Sequence, residues 1–166
     1  RRAVHNIALT FLPIVHIGIP ISLLNGLAFL NESYDYRIIL GITLMVWTND
    51  TLAYVFGMLI GKNRIMPKIS PKKSWEGFTA GLLGVGGLAV LLADQWSVIS
   101  VVDWSVLAGF VVIFGLTGDL VESMIKRNAG IKDSGSVLPG HGGILDRFDG
   151  FIFVIPFAFA YLYMIH

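Results

Sequence analysis

The chain has 166 residues, of which 55% are hydrophobic and only 14% charged, with a net charge of +1 and a mean hydropathy of +0.74. Ordinary soluble domains carry roughly 25% charged residues, so this composition excludes a water-soluble globular domain and makes a membrane the natural solvent. Cys is absent, which excludes disulfides and a thiolate metal site.

Crossing a bilayer takes about 20 apolar residues, and five segments approach that length. The chain starts at Arg1 and Arg2 rather than Met, and the first segment, Ile7 to Leu30, is too long and too Pro-interrupted for a signal peptide. Its Pro13 and Pro20 each remove a helix hydrogen bond and predict a kink or break. The second segment, Ile38 to Ile60, is uninterrupted. The third, Phe78 to Ala93, is short and surrounded by Gly77, Gly81, Gly84 and Gly87, small residues that permit close helix approach. The fourth runs from Trp104 to Ser123 and the fifth from Phe151 to the end. The sequence has no internal repeat, low-complexity run or linker. The expected fold class is all-α, a polytopic membrane helical bundle with about five transmembrane helices and two cytoplasmic catalytic loops, in a single domain over residues 1–166.

Basic residues near span ends stay on the cytoplasmic side. With five spans, 11 of the 12 basic residues fall on one side, leaving Arg37 opposite with Glu32, Asp35, Asp94 and Asp103. The two long loops, Gly61 to Glu76 and Lys126 to Gly150, are therefore expected in the cytoplasm. The bias alone accounts for Lys62, Arg64 and Lys68. His5, His16 and His166 have no constellation around them and read as interfacial or structural, Trp47 and Trp75 as interface anchors, and Tyr54 as a packing residue.

Carboxylates inside membrane spans are costly and usually face a cation or a polar cavity. Asp50 lies near the middle of the second span, and Asp119 and Glu122 toward the end of the fourth. Asp119, Glu122, Ser123 and Lys126 are spaced i, i+3, i+4 and i+7, so a polar stripe runs down one helix face into the basic loop. An interhelical structural network, with Glu122 paired to Lys126, is the plain alternative for one buried acid. Three such acids favour function.

The loop from Lys126 to Asp149 combines cations (Lys126, Arg127, Lys132, Arg147), the glycines Gly140, Gly142 and Gly143 around His141, and the acids Asp133, Asp146 and Asp149. Glycines let backbone N–H groups approach phosphate oxygens, Lys and Arg offset phosphate charge, and carboxylates hold bridging divalent cations. Phosphoryl or nucleotidyl transfer needs that set together, because its catalysis is mostly positioning and charge neutralisation. A Walker loop is absent. A transporter or channel with an intramembrane acidic ion site is the competing class. It predicts repeat symmetry and a polar path to both faces, neither of which the sequence contains. A CDP-alcohol phosphotransferase would need an aspartate-rich helical motif that is also missing.

The run from Ser123 to Asp149 resembles the signature of the CDP-diacylglycerol synthase (phosphatidate cytidylyltransferase) family in Ser123, Lys126-Arg127, Lys132-Asp133, Pro139, His141-Gly142-Gly143 and Asp146-Arg147-Phe148-Asp149. Asp50 with Ala53-Tyr54 and Gly57, and Lys68 through Gly77, resemble the same family, so the likeness covers Trp47 to Gly150. Leu52 departs from it, standing where many members carry Gly. The resemblance implies transfer of a cytidylyl group from CTP to phosphatidate with Mg2+, alone or with a second cation. It also implies further N-terminal spans, so the chain reads as the C-terminal part of a longer one. Asp119, Asp146, Lys126, Arg127 and Asp149 are the expected catalytic residues, with Asp119, Asp146 and Asp149 as metal ligands. Lys72, Lys73, Ser74, Ser123, Lys132, His141, Gly142, Gly143 and Arg147 are expected to bind substrate. The partners implied are the two substrates and the bilayer, with no nucleic acid; glycine-rich faces suit a homodimer and intramolecular packing equally.

Overall fold

The computed structural model describes residues 2–67, 70–131, 143 and 145–166, with backbone alone at 2–5, 8, 9, 71 and 145–147. Among these residues, five helical spans are long and apolar enough to cross a membrane, which makes the chain a multi-pass integral membrane protein. Of the kink or break expected at the prolines of the first, no break occurs, and the irregularity is a π-helical one: α1 (Arg2–Pro13), a π-helical segment (Ile14–Gly18) and α2 (Ile19–Ala28) follow one another without interruption. The Ile19 N–H donates to the Ile14 carbonyl, five residues back. A local π adjustment is one way a membrane helix absorbs proline, and this one lies between Pro13 and Pro20.

Helix α3 (Arg37–Leu59) matches the second predicted span to within a residue at each end. Asp35 prepares its start: its carboxylate accepts the Arg37 backbone N–H at 2.9 Å and pairs with the guanidinium at 2.5 Å. Hydrogen bonding to Arg37 holds the Asp35 carboxyl below the usual carboxylate range.

The other three helices are longer than apolar runs alone predict, and in α4 and α5 polar capping residues extend them. Helix α4 (Trp75–Gln95) begins at Trp75 rather than Phe78, since the Ser74 hydroxyl accepts the Gly77 N–H at 3.2 Å and caps the helix. Helix α5 (Val101–Asn128) begins in a capping box between Ser100 and Asp103. It continues through Lys126 and Arg127, which suit the negative end of the helix dipole, and Gly130 follows at φ +72°. Those two residues thus sit on a helix, not in the loop expected for them. With 28 residues, α5 is about 42 Å long against a hydrocarbon core of about 30 Å, so it projects into the interface. Helix α6 (Leu145–Ile165) takes in residues 146–149 as its first turns, again where a loop was expected.

The loop expected from Gly61 to Glu76 contains the described strands: β1 (Arg64–Met66) pairs antiparallel with β2 (Ser70–Ser74), with Arg64 opposite Ser74, Met66 opposite Ser70 and an irregularity between them. The Arg64 guanidinium donates to the Lys72 carbonyl at 3.0 Å and ties the two strands together.

Helix α4 packs against α3 and α5, and α6 against α5 and α2. The apolar core lies toward the end where α2, α4 and α6 finish and α3 and α5 begin, with Leu27, Ile38, Ile42, Leu92, Trp104 and Leu162 among its members. Trp104 is fully buried and fits against Gly41, where an added Cβ would strike the indole. Large apolar residues such as Leu83 and Met164 face outward, as lipid-facing residues do.

Candidate active site

At the opposite end of the bundle, glycines let backbones meet. A Cβ on Gly77 would lie 2.5 Å from the Ala53 carbonyl oxygen, so α4 starts hard against α3. A Cβ on Gly118 would lie 2.7 Å from Phe153 Cβ and 2.9 Å from the Asp149 carbonyl oxygen, and one on Gly150 would lie 3.3 Å from the Gly115 carbonyl oxygen. The α5–α6 crossing therefore falls one residue from Asp119 and on Asp149 itself. Gly81 and Gly84 play the expected packing role against Asn49 and Leu52, whereas Gly87 meets nothing within 4 Å. Leu52, the departure from the family pattern, is accommodated by Gly84 opposite it.

These crossings enclose a cavity of about 280 Å³ between α3, α4, α5 and the hairpin. Asn49 and Asp50 from α3, Lys72 and Lys73 from β2, and Asp119 from α5 supply its charged and amide groups, while Phe78, Val112 and Leu116 supply apolar wall. Lys73 Nζ forms an ion pair with Asp119. Asp50 shares the cavity with Lys73 and Asp119, and Asp149 stands on α6 where that helix crosses α5 next to Asp119. Opposite charges in a low-dielectric environment attract strongly, and an acid at this depth needs such a partner.

The polar stripe foreseen on α5 is present. The Ser123 hydroxyl lies 3.5 Å from Asp119 Oδ1, and Lys126 Nζ lies 3.4 Å from Glu122 Oε1. Glu122 is buried and Lys126 nearly so, which realises the structural Glu122–Lys126 pairing weighed from spacing. Of the expected site residues, Lys72, Lys73, Ser74 and Asp119 line the cavity with Ser123 beside Asp119, while Asp149 stands at the α5–α6 crossing one residue from it. Ser74 serves at the same time as the α4 cap. Arg127 points elsewhere: it is exposed, with its guanidinium 3.4 Å from the Ile131 carbonyl oxygen. Gly143 is buried. Residues 146 and 147 lie on the first turn of α6 with only their backbone described, and Lys132, Asp133, His141 and Gly142 lie outside the described residues.

Two cavity residues were missed or misread. Asn49, 9% exposed, was not singled out, although a polar residue beside Asp50 in an apolar span was an available signal. Tyr54 does not pack in the core; it is exposed and lines the cavity. On the far end, His166 does have companions: its ring lies 3.4 Å from Asp103, whose other oxygen accepts the Tyr161 hydroxyl at 3.0 Å. That cluster also contains the α5 capping box and is structural.

The fold and site define a multi-pass membrane protein with a cavity that pairs acids from the spans with lysines from an interfacial hairpin. The sequence model of the Cytidylyltransferase family matches residues 1–165, and the chain belongs to that family. It is 49% identical over 127 residues to the phosphatidate cytidylyltransferase of Staphylococcus epidermidis, covering 75% of this chain and 48% of that protein. Over 158 residues it is 44% and 43% identical to the phosphatidate cytidylyltransferases of Staphylococcus saprophyticus and Staphylococcus aureus, covering 90% of this chain and 56% of each relative. The chain thus spans about half the length of the curated relatives it matches. The transporter or channel alternative gains no support from these relatives.

Proposed function

We propose that this chain acts as a membrane-embedded cytidylyltransferase domain that transfers a cytidylyl group from CTP to phosphatidate, giving CDP-diacylglycerol and pyrophosphate for phospholipid biosynthesis. The observation that carries the proposal is the Lys73–Asp119 pair in a cavity beside the α5 stripe, in a member of this family whose named relatives carry that activity. Asp119 lies nine residues before the end of α5, about 14 Å along the helix. Since α5 exceeds the hydrocarbon core by about 12 Å in all, Asp119 lies just inside the hydrocarbon, in the half nearer the basic hairpin.

In the reaction, a phosphatidate phosphate oxygen attacks the α-phosphorus of CTP. The new P–O bond forms as the bond from that phosphorus to the oxygen bridging to the β-phosphate breaks, and pyrophosphate carries the electron pair away. The nucleophile is already ionised at pH 7, so no strong general base is required. Lys72 and Lys73 line the cavity and, with Lys126, Lys132 and Arg147, would offset phosphate charge through charge-assisted hydrogen bonds, while Arg127, outside the cavity at the exposed end of α5, would have to turn toward the phosphates to join them. Ser74, Ser123, His141, Gly142 and Gly143 would position the phosphates by hydrogen bonding.

Asp119, Asp146 and Asp149 would hold Mg2+. Hard carboxylate oxygens suit that ion, which takes one or two carboxylates and completes its shell with water and substrate phosphate. Among the described residues no three acidic or His side chains gather into a metal site, and the Asp146 side chain lies outside those described. When bound, Mg2+ supplies charge neutralisation at the transferring phosphate.

Turnover of radiolabelled CTP with phosphatidate and Mg2+ in detergent micelles tests the proposal. Full-length protein should produce lipid-linked CMP, and Asp119→Asn and Asp146→Asn should each lower the rate at least about 100-fold. No lipid-linked CMP would sink the function, and unchanged rates in both variants the metal assignment. The proposal places the hairpin in the cytoplasm, following the bias of 11 of 12 basic residues. A Lys62→Cys variant, with any Cys outside these residues replaced, should react with an impermeant maleimide in inverted vesicles and not in intact cells. The reverse pattern would overturn the orientation.

A further inference from the structure

Asp50 has no part in the reaction as described, yet it shares a cavity with Lys73 and Asp119. We infer that Lys73 and a divalent cation compete for the Asp119 carboxylate, and that Asp50 is the second station, receiving the Lys73 ammonium when the cation takes Asp119. The inference deepens the proposed function and rests on its assignment of Asp119 as a cation ligand.

The first support is the pair itself. Lys73 and Asp119 are ion-paired with side chains 24% and 35% exposed, so both reach the cavity and neither is sealed in the core. An ammonium and a dication on one carboxylate repel each other, and the repulsion is large where water is scarce. Binding of one therefore weakens the other.

The second support is how Lys73 is mounted. The residue before it gives its carbonyl to the Arg64 guanidinium, and the residue after it caps α4 through its hydroxyl. The backbone is pinned on both sides, so exchange falls to the flexible four-carbon stem, whose compact ammonium can turn from one acid to another without moving the hairpin. A released ammonium inside a bundle needs a new counter-charge. Asp50 lines the same cavity as Lys73, whereas Lys126 has a carboxylate beside it in Glu122. Cation binding would thus free Lys73 from Asp119 and leave it within reach of an incoming phosphate. The coupling is reciprocal, so an anion that draws Lys73 away should tighten the cation.

The test measures Mn2+ binding by electron paramagnetic resonance on full-length protein in detergent, with neither nucleotide nor lipid substrate present. Lys73→Met should bind Mn2+ at least about tenfold more tightly than the wild type, while Lys73→Arg, which keeps the charge, should stay near it. Asp50→Asn should weaken binding severalfold in the wild-type background and have no effect in the Lys73→Met background, a non-additivity that a merely structural role for Asp50 would not produce. Lys73→Gln carries the same expectation if Lys73→Met does not fold. Unchanged or weaker binding in the uncharged Lys73 variants, with binding still lost in Asp119→Asn, overturns the competition and leaves the cation assignment standing. Additive effects of Asp50→Asn and Lys73→Met overturn the station role. Equal Mn2+ binding by wild type and Asp119→Asn removes the assignment on which both rest.

Discussion

Glycine opens space at both ends of the bundle, but what fills the space differs. At the end where α3 and α5 begin, Gly41 admits the indole of Trp104, and the core around it includes Leu27, Ile38 and Leu162. The buried acid there, Asp103, is engaged by the Ser100 backbone and hydroxyl, by Tyr161 and by His166. At the other end, Gly77 admits the α3 backbone and Gly118 admits both the Phe153 side chain and the Asp149 carbonyl, so the helices close on each other while a cavity stays open beside Asp119. The acids at that end face lysines mounted on a hairpin or on α5. An acid held by its own helix cap and by side chains near the end of the chain fixes a structure. An acid facing a long, flexible ammonium can exchange it.

The largest expected effect tests whether the two ends are separable. Trp104→Ala removes a fully buried side chain, and large-to-small changes of this kind cost about 3–5 kcal/mol. Van der Waals packing is a main force between membrane helices, so the thermal unfolding midpoint in detergent should fall markedly. Turnover per folded molecule should stay close to wild type. Asp119→Asn should do the opposite, losing turnover while unfolding at nearly the wild-type temperature. If Trp104→Ala cut turnover per folded molecule as deeply as Asp119→Asn, the division into a structural end and a working end would collapse.

A smaller effect falls at the boundary of the working end. Ser74→Ala removes the α4 cap, worth about 1 kcal/mol, and the hydroxyl packed against Gly57 and Gly61. Because Ser74 also ends the strand that carries Lys73, the apparent KM for CTP should rise severalfold although the loss of stability is modest. An unchanged KM beside the stability loss would show that the cap and the Lys73 mounting are independent.

Which parts of this were legible in the sequence follows from the range of the signals. Hydropathy located all five spans, because twenty apolar residues leave few alternatives. Helical spacing placed Asp119, Glu122, Ser123 and Lys126 together, and the contacts at Ser123 and Lys126 bear that out. Helix ends were misplaced wherever a polar turn continued the helix, as at Trp75-Glu76 and Lys126-Arg127, since charge there reads as loop although it suits a helix terminus. The hairpin was invisible: Lys72, Lys73 and Pro71 have no strand alternation, and its irregular register blurs the period of two. Convergence of Asp50, Lys73 and Asp119 joins three elements distant in sequence, which no local pattern encodes.

The smallest effect lies at the structural end, where Asp35 and Arg37 form a pair near the surface. Arg37 lowers the folded-state pKa of Asp35 below its unfolded value, so the pair adds stability that is fully present above the unfolded carboxylate pKa, about 3.9, and is lost as pH falls through the folded value. Asp35→Asn should therefore unfold slightly earlier than wild type at neutral pH, by on the order of a degree or two, since partly exposed pairs are worth little. That gap should begin to close as the pH drops below about 4 and vanish as it falls through the lower folded-state value, where the wild-type carboxylate also becomes neutral. It should narrow in high salt as well, because screening reaches an exposed pair. A gap that instead widened on acidification would mean that Asp35 acts through its hydrogen bond to the α3 backbone rather than through its charge.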